Sequence, residues 1–328
     1  NFTSSGSNVL KKTNNLRTIV ENNINFESYD FITNLGLKNN FGIYFKNTNT
    51  TAKNDDTYKS SPQVELFNIY NFETSLPLNK RDENFINTLT PKLSFRINPG
   101  DMKDYSNDNK HVSSGNIFAI NRLGLGDSFE QGKSLTLGVD FIKEDLDDIN
   151  RYFEFNLAKV LRDVTEKNIP RNSSIGQESS NIFGSSTLSF SKMLSLNYDF
   201  SLDNDFNTLE YNALTTQLEL SNFTTEFKFR EDSGKRGDTN FLENQTTINF
   251  RDKNFLKFKT RRNRQINLTE YYDLVYEYQN DCLTAGVKYK KTYYQDRDLK
   301  PNEDLLLTIT LFPLTQYEQQ VDQNLYRD

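Results

Sequence analysis

Side chains that could carry out chemistry are few in this chain, and none is placed for catalysis. The chain has one cysteine, Cys282, and one histidine, His111. His111 has no cysteine or carboxylate at the spacing of a metal ligand, and no stretch matches a phosphate-binding loop, a dinucleotide fingerprint or a zinc site. Serine and aspartate residues are numerous, but they form no nucleophile–base pattern. The sequence therefore predicts a protein that is not an enzyme and has no cofactor or metal.

Two groups of charged residues could bind ions. The acidic run at 144–148 could hold a cation, but its spacing is not that of an EF-hand loop, and a solvated turn is the favoured interpretation. Arg261, Arg262 and Arg264 bring together three guanidinium groups, which suit phosphate, although a solvated rim explains them equally well. The net charge of -6 and the pI of about 5.2 argue against nucleic acid as a partner.

The last third of the chain shows the pattern that must position these groups. Apolar and polar side chains alternate at 272–279, at 283–290 and at 305–311, and the polar turn Asn280–Cys282 separates the first two stretches. A period of two over eight to ten residues is typical of antiparallel strands with one apolar face. The sequence thus predicts an all-β fold, a transmembrane β-barrel with lipid outside and water within, in the cell outer membrane.

Composition is compatible with this prediction. Hydrophobic residues make up only 35% of the chain and the mean hydropathy is -0.75. No apolar run reaches the eighteen residues that a transmembrane helix needs. In a barrel only alternate residues face lipid, and the 26 Phe and 17 Tyr suit strands and interfacial girdles. We expect residues 1–314 to form the barrel, and 315–328 to form a polar periplasmic tail.

About sixteen strands are expected, with an uncertainty of two. Long segments without alternation at 99–131 and 163–180 are expected to be loops, the first of them functional or folded inward over the lumen. Residues 47–61, which are all polar, are expected to be an exposed loop. The predicted strands include 16–20, 29–35, 41–45, 64–72, 89–98, 135–141, 153–157, 194–201, 214–220, 223–230, 248–250 and 255–260.

The alternation of long loops and short turns predicts the topology. Long loops are expected outside the cell and turns in the periplasm, which puts Cys282 in the periplasm. An exposed thiol there is either incidental or disulfide-bonded to a partner or to a missing segment, because the periplasm is oxidising. The chain begins at Asn1 without an initiator Met or a signal peptide, so we expect it to be a processed or truncated piece.

Two regions resemble one family. The stretch Leu274–Leu283 (LVYEYQNDCL), with the basic strand that follows it, is similar to the penultimate hairpin of the lipopolysaccharide-assembly outer-membrane protein (LptD) family. The stretch 306–314 resembles that family's closing strand, and Pro91–Arg96 (PKLSFR) and Asn121–Asp127 (NRLGLGD) resemble its mid-barrel segment. The resemblance extends over roughly residues 88 to 314.

The resemblance implies a function and partners. It implies a translocon that inserts lipopolysaccharide into the outer leaflet, with a plug lipoprotein in the lumen and periplasmic transport-bridge proteins feeding an N-terminal domain. It also implies a disulfide from Cys282 to that domain, and lipid A phosphates at Arg261, Arg262 and Arg264. The lateral seam into lipid would border the strand of Leu305, Leu307, Ile309 and Leu311. Many family members have two cysteines where this chain has one.

Two other kinds of protein remain as alternatives. An outer-membrane diffusion porin would bury a constriction loop with opposed acidic and basic clusters, and its last strand usually ends on an aromatic residue. A soluble β-rich adhesin or sandwich would instead pack its apolar faces together. The sequence favours the translocon, because a polar tail follows the last predicted strand and the apolar rows face outward.

Overall fold

The computed structural model describes residues 1–11, 14–55, 58–126, 128–251, 253–293 and 301–311, and the backbone of 315–321. Within these residues the chain forms nineteen strands and two single-turn 3-10 helices, Arg171–Ser173 and Gly234–Arg236. The strands are β1 (Phe2–Lys11), β2 (Asn15–Glu27), β3 (Phe31–Ile32), β4 (Lys38–Lys53), β5 (Gln63–Ser75), β6 (Leu78–Arg81), β7 (Phe85–Asn98), β8 (Gly132–Asp145), β9 (Tyr152–Leu161), β10 (Ser179–Ser191), β11 (Leu194–Leu202), β12 (Leu209–Leu220), β13 (Phe223–Asp232), β14 (Thr239–Asn249), β15 (Asn254–Asn263), β16 (Leu268–Gln279), β17 (Leu283–Thr292), β18 (Asn302–Leu311) and β19 (Thr315–Val321). In the part of the chain so described, no helix has the length and hydrophobicity to cross a membrane.

The chain divides into two compact units. The first unit comprises 1–143, 155–185 and 201–208, and the second comprises the remaining residues. In the first unit β1 pairs with β2, β2 with β4, β4 with β5, and β5 with β7, all antiparallel. In the second unit the strands from β12 to β19 each pair with the next, again antiparallel. The predicted all-β antiparallel fold is confirmed.

Tight turns explain the simple order of the second unit. Ser221 and Asn222 separate β12 from β13, whose first pair is Leu220 with Phe223. Such a two-residue connection allows only antiparallel neighbours. In the three-residue turn between β16 and β17, Oδ1 of Asn280 accepts hydrogen bonds from the backbone N–H groups of Cys282 (3.0 Å) and Leu283 (2.8 Å). The turn predicted at 280–282 is thus confirmed.

The prediction from the sequence was wrong at two places near the start of the chain. The predicted loop 47–61 continues as strand up to Lys53, and the predicted strand 29–35 contains only the two-residue β3. Polar residues extend β4 because both of its faces are polar there. Thr48 and Thr50 are buried on the inward face, and Asn47 on the other face accepts a hydrogen bond from Asn22 across the ladder. A strand with two polar faces carries no alternation for the sequence to reveal.

The number of strands is also larger than expected. The described residues contain nineteen strands rather than about sixteen, because the sequence did not reveal β1, β6 and β10. The segment expected to be a tail contributes β19, which pairs with β18 over Thr315–Val321. Four predicted features, Asp127, Phe312, the Pro313–Leu314 pair and the tail beyond residue 321, lie outside the described residues.

The apolar core lies in the first unit and is built mainly from two loops. The described residues of segment 99–131 form no strand, and segment 162–178 contains one helical turn. Both were predicted as long loops. Their apolar side chains pack with residues of β9 and β10 in one buried cluster: Met102, Val112, Ile117, Leu123, Leu125, Ala158, Val160, Ile169, Ile175 and Phe183.

Candidate functional site: an apolar outer face and a loop-covered polar face

In the second unit, one face of the sheet is an exposed apolar surface. Leu274 and Tyr276 on β16 are 43% and 41% exposed, and Val287, Leu307 and Ile309 on the next two strands are exposed to a similar extent. The register places Leu274 beside Phe258 and Tyr289. Aromatic rings stack along this face, as Phe250 does on Tyr276 at 6.2 Å between centroids. Such rows of exposed apolar side chains are costly in water and favourable in lipid.

The opposite face of the same strands is a ladder of ion pairs. Lysines and arginines on β15 and β17 face carboxylates on β14 and β16, because oppositely charged residues occupy neighbouring inward positions. The pairs are Lys257–Glu277 (2.5 Å), Lys259–Glu243 (3.5 Å), Arg261–Glu270 (2.8 Å) and Lys288–Asp273 (3.5 Å). This face therefore suits water and polar solutes.

The sheet of the first unit also has an apolar face and a polar face, but here a loop covers the polar face. On β4, Phe41 and Ile43 are exposed, whereas Tyr44, Lys46 and Thr48, which follow them on the other face, are buried. The polar residues are buried because segment 99–131 lies against them: Nζ of Lys46 donates to the carbonyl oxygen of Gly126. An ion pair from Lys103 to Glu65 (2.9 Å) joins the same segment to β5.

A buried cluster of four charged residues fixes these loops. The carboxylate of Glu130 accepts hydrogen bonds from Arg96 on β7 (3.3 Å), from Nε of Arg122 (2.6 Å) and from Arg162 after β9. All four side chains are at most 4% exposed. One carboxylate thus ties three segments together, and its charge-assisted bonds are the strong kind.

The guanidinium groups of this cluster also hold the backbone of the loops. Arg96 donates to the carbonyl of Ala119 (2.7 Å), Arg122 to that of Ile117 (3.2 Å), and Arg162 to that of Ile175 (2.5 Å). Burial by itself raises the pKa of Glu130, but the three guanidinium groups outweigh it and lower that pKa to about 2. The cluster therefore stays charged at neutral pH. Its geometry suits an anchor for the loops rather than a reacting group.

The lowered pKa of Glu130 predicts that the first unit loses stability in acid. Because the folded pKa of Glu130 is below the ordinary value of 4.5, its contribution to stability is complete above pH 4.5 and is lost as the pH falls toward about 2. We expect the melting temperature of the protein to fall in that interval by more than that of a Glu130→Gln variant. Parallel curves for the two proteins between pH 5 and about 2 would contradict this assignment.

Cys282, the predicted disulfide candidate, is an exposed free thiol in the turn between β16 and β17. Its backbone N–H is bonded to Asn280, so the thiol is presented by a short and ordered turn. No other cysteine exists in the sequence. The position is accessible to a partner chain, and its compartment remains a prediction.

The three arginines near the end of β15 contact three different partners. Arg261 pairs with Glu270 at 2.8 Å and lies 4.1 Å from the ring centre of Phe241, on the polar face. Arg262 donates to Asn267. Arg264 lies 5.4 Å from the ring centre of Phe229. The structure therefore does not gather them around one point, and their phosphate role remains a prediction.

The strand predicted to border a seam lies inside the sheet. Leu305 is half-buried, whereas Leu307, Ile309 and Leu311 are exposed on the apolar face, as expected. β18 is hydrogen-bonded to β17 on one side and to β19 on the other. Among the described residues, the β18–β19 ladder joins Leu305–Leu311 to Thr315–Val321.

The acidic run 144–148 comprises the last two residues of β8 and the turn that follows them. Asp145 accepts a backbone hydrogen bond from Asp147 (2.9 Å) and pairs with Arg151 at 3.4 Å. No group of three or more His, Cys, Asp or Glu residues that could hold a metal ion occurs in the described ranges. The cation interpretation of the run thus has no support there.

Comparison with known proteins gives structural matches only. No family model matches the chain, and no curated protein matches it. A ferric enterobactin receptor (PfeA) point mutant from Pseudomonas aeruginosa is similar at 10% identity and a TM-score of 0.44, over 92% of this chain and 55% of that one. This chain thus spans about half the length of the receptor. A mutant Rh. blastica porin is similar at 8% identity and a TM-score of 0.35, over 97% and 100% of the two chains.

The two faces of the sheet define the class of protein. Strands of ten to sixteen residues have the length that crosses a bilayer. They have an exposed apolar face and a polar face that is charged or covered by loops. Antiparallel strands with this division belong to outer-membrane β-barrel proteins. The TM-scores are below 0.5, and the assignment follows from the faces without them.

Proposed function

We propose that the chain is the C-terminal barrel portion of an outer-membrane translocon, of the LptD type, that inserts lipopolysaccharide into the outer leaflet. One observation carries the proposal: the same strands present a lipid-like face and a polar face. A glycolipid needs both, because its acyl chains must reach lipid while its saccharide stays in polar surroundings. The sequence resemblance over residues 88 to 314 gives independent support.

In this proposal, the acyl chains leave the barrel through a seam at the β18–β19 ladder. Leu305, Leu307, Ile309 and Leu311 form an apolar row along it. Acyl chains leaving at this ladder would meet the apolar row first.

A reversible cross-link tests the seam. In a Cys282→Ser background, cysteines at Leu307 and Gln319, which are paired across β18 and β19, should form a disulfide that stops lipopolysaccharide from reaching the cell surface. Reduction should restore it. The matched control is Leu307→Cys with Val287→Cys, which locks β17 to β18 instead. Surface lipopolysaccharide that is unchanged by the 307–319 cross-link would rule out a seam at this ladder.

The proposed partners are a plug lipoprotein within the lumen and periplasmic transport-bridge proteins that deliver lipopolysaccharide. Cys282 is accessible for a disulfide with a domain upstream of this chain. Non-reducing electrophoresis of the full-length protein should show a mobility that Cys282→Ser alters. Full reactivity of Cys282 with a maleimide in the native full-length protein would exclude that disulfide.

A diffusion porin is the second candidate. It is favoured by the segment 99–131, which covers a polar face and brings Glu130 against Arg96 and Arg122, as a charged inward loop would. Passage of small sugars through vesicles that contain only this protein, measured by swelling, would support a porin. Vesicles that stay impermeable favour the translocon.

A further inference from the structure

Two adjoining cavities lie on the polar face of the first unit. They have volumes of about 480 Å³ and about 280 Å³, and they share a wall formed by Asn40, Glu73 and Phe118. Cavities of this size hold small ligands or parts of larger ones. The larger one continues along Tyr44, and the smaller one reaches Lys92.

Two aromatic rings of the cavity walls, those of Phe118 and Tyr44, each lie close against a glycine. A Cβ at Gly138 would lie 2.6 Å from Cζ of Phe118, and a Cβ at Gly42 would lie 2.7 Å from Cε2 of Tyr44. Any larger residue at either position would force the ring to move. The bare backbone on the inward side of β4 and β8 thus lets both rings lie close against the sheet.

The polar groups of the wall are held in fixed orientations. Asn71 accepts a hydrogen bond from Ser94 (2.9 Å) and donates one to Glu73 (2.8 Å), which settles the direction of its amide. Tyr44 donates to Glu27. Lys92 is paired with Asp140 and lies 5.3 Å from the ring centre of Phe118. These contacts pre-organise the cavity without a ligand.

The mixture of groups selects one class of ligand. Carboxylates at Glu27 and Glu73 disfavour a phosphate, and among the described residues no set of acidic side chains is arranged for a metal ion. Amides, carboxylates and the ammonium groups of Lys38 and Lys92 together offer donors and acceptors to hydroxyl groups. Flat rings offer a face to the C–H side of a sugar ring.

We propose that the cavities flanked by Tyr44 and Phe118 bind a saccharide unit. The rings contact the sugar from the sides, while Asn40 and Glu73 bond its hydroxyl groups. The inference deepens the proposed function, since it assigns a binding site to the saccharide part of lipopolysaccharide and rests on that function for the ligand's source.

Calorimetry with a lipid-free ligand tests the site. The full chain in detergent is titrated with the oligosaccharide released from lipopolysaccharide by mild acid. Glu73→Gln should weaken binding by about tenfold or more, the loss expected for a hydrogen bond to a charged group. Phe118→Leu removes the flat ring that contacts the sugar and should also weaken binding by about tenfold or more. Glu83→Gln removes the same charge from the exposed turn before β7 and should bind as the wild type does.

Two results would overturn the site: no binding by the wild-type chain, or equal binding by the wild type and both variants. Depletion of the protein from cells separates this inference from the proposed function. Normal surface lipopolysaccharide after depletion, with saccharide binding as expected, would contradict the proposed function but not the saccharide-binding site. Blocked export after depletion, with no saccharide binding by the wild-type chain, would contradict the saccharide-binding site but not the proposed function.

Discussion

Glutamine in place of Glu130 is expected to destabilise the first unit by about 3–5 kcal/mol, the cost of breaking a buried ion pair by removing one partner. The variant keeps the volume and an acceptor oxygen but leaves Arg96, Arg122 and Arg162 without their shared carboxylate. Three guanidinium groups that are nearly unexposed would then repel one another in a medium of low polarity.

Limited proteolysis and thermal unfolding in detergent measure this effect. Cleavage should appear within 99–131 in the variant, because this segment is anchored through Glu130. The control is Glu83→Gln, an equal charge change at an exposed position. Replacing one arginine as well, as in Glu130→Gln with Arg96→Met, should recover part of the loss, since one buried charge fewer remains. A single Glu130→Gln variant as stable as the control would show that the cluster anchors nothing.

The sequence predicted the strands of the second unit well because one of their faces meets lipid. In most strands from β11 to β18, apolar residues recur at every second position, as at Leu274 and Tyr276, and the turn at Asn280 is short and polar; β14 is the exception, since Asn244 and Thr246 interrupt its row. Both signals are local. The exposed apolar row of β18 and the two long loops were likewise evident from the alternation or from its interruption.

The first unit was harder to predict because its structure depends on distant contacts. β4 extends through Thr48 and Thr50, which are polar but buried under a loop some eighty residues away, so no local pattern marks it. The Glu130 cluster draws its arginines from three separate segments. Glycines offered the one available signal for the cavity: Gly42 and Gly138 occupy inward positions of strands, where glycine often marks a close approach.

Arginine in place of Phe227 is expected to destabilise the protein by about 2–4 kcal/mol, as a charge on the lipid face near the bilayer midplane does. Phe227 lies in the middle of β13, is 47% exposed, and pairs with Asn244 on β14. Exposure of a large aromatic residue at that depth is stable only if lipid surrounds it. A guanidinium group there would have to leave water or distort the bilayer.

The matched control is Gln245→Arg, at nearly the same depth on the opposite face. Gln245 pairs with Glu226 on one side and with Lys259 on the other, so a new positive charge finds one partner of each sign. Its cost should be below about 1 kcal/mol, as for surface charges in water. Denaturant unfolding of both variants in lipid vesicles measures the difference. Equal costs would mean that both faces see the same solvent, and the apolar face would then not be a lipid face.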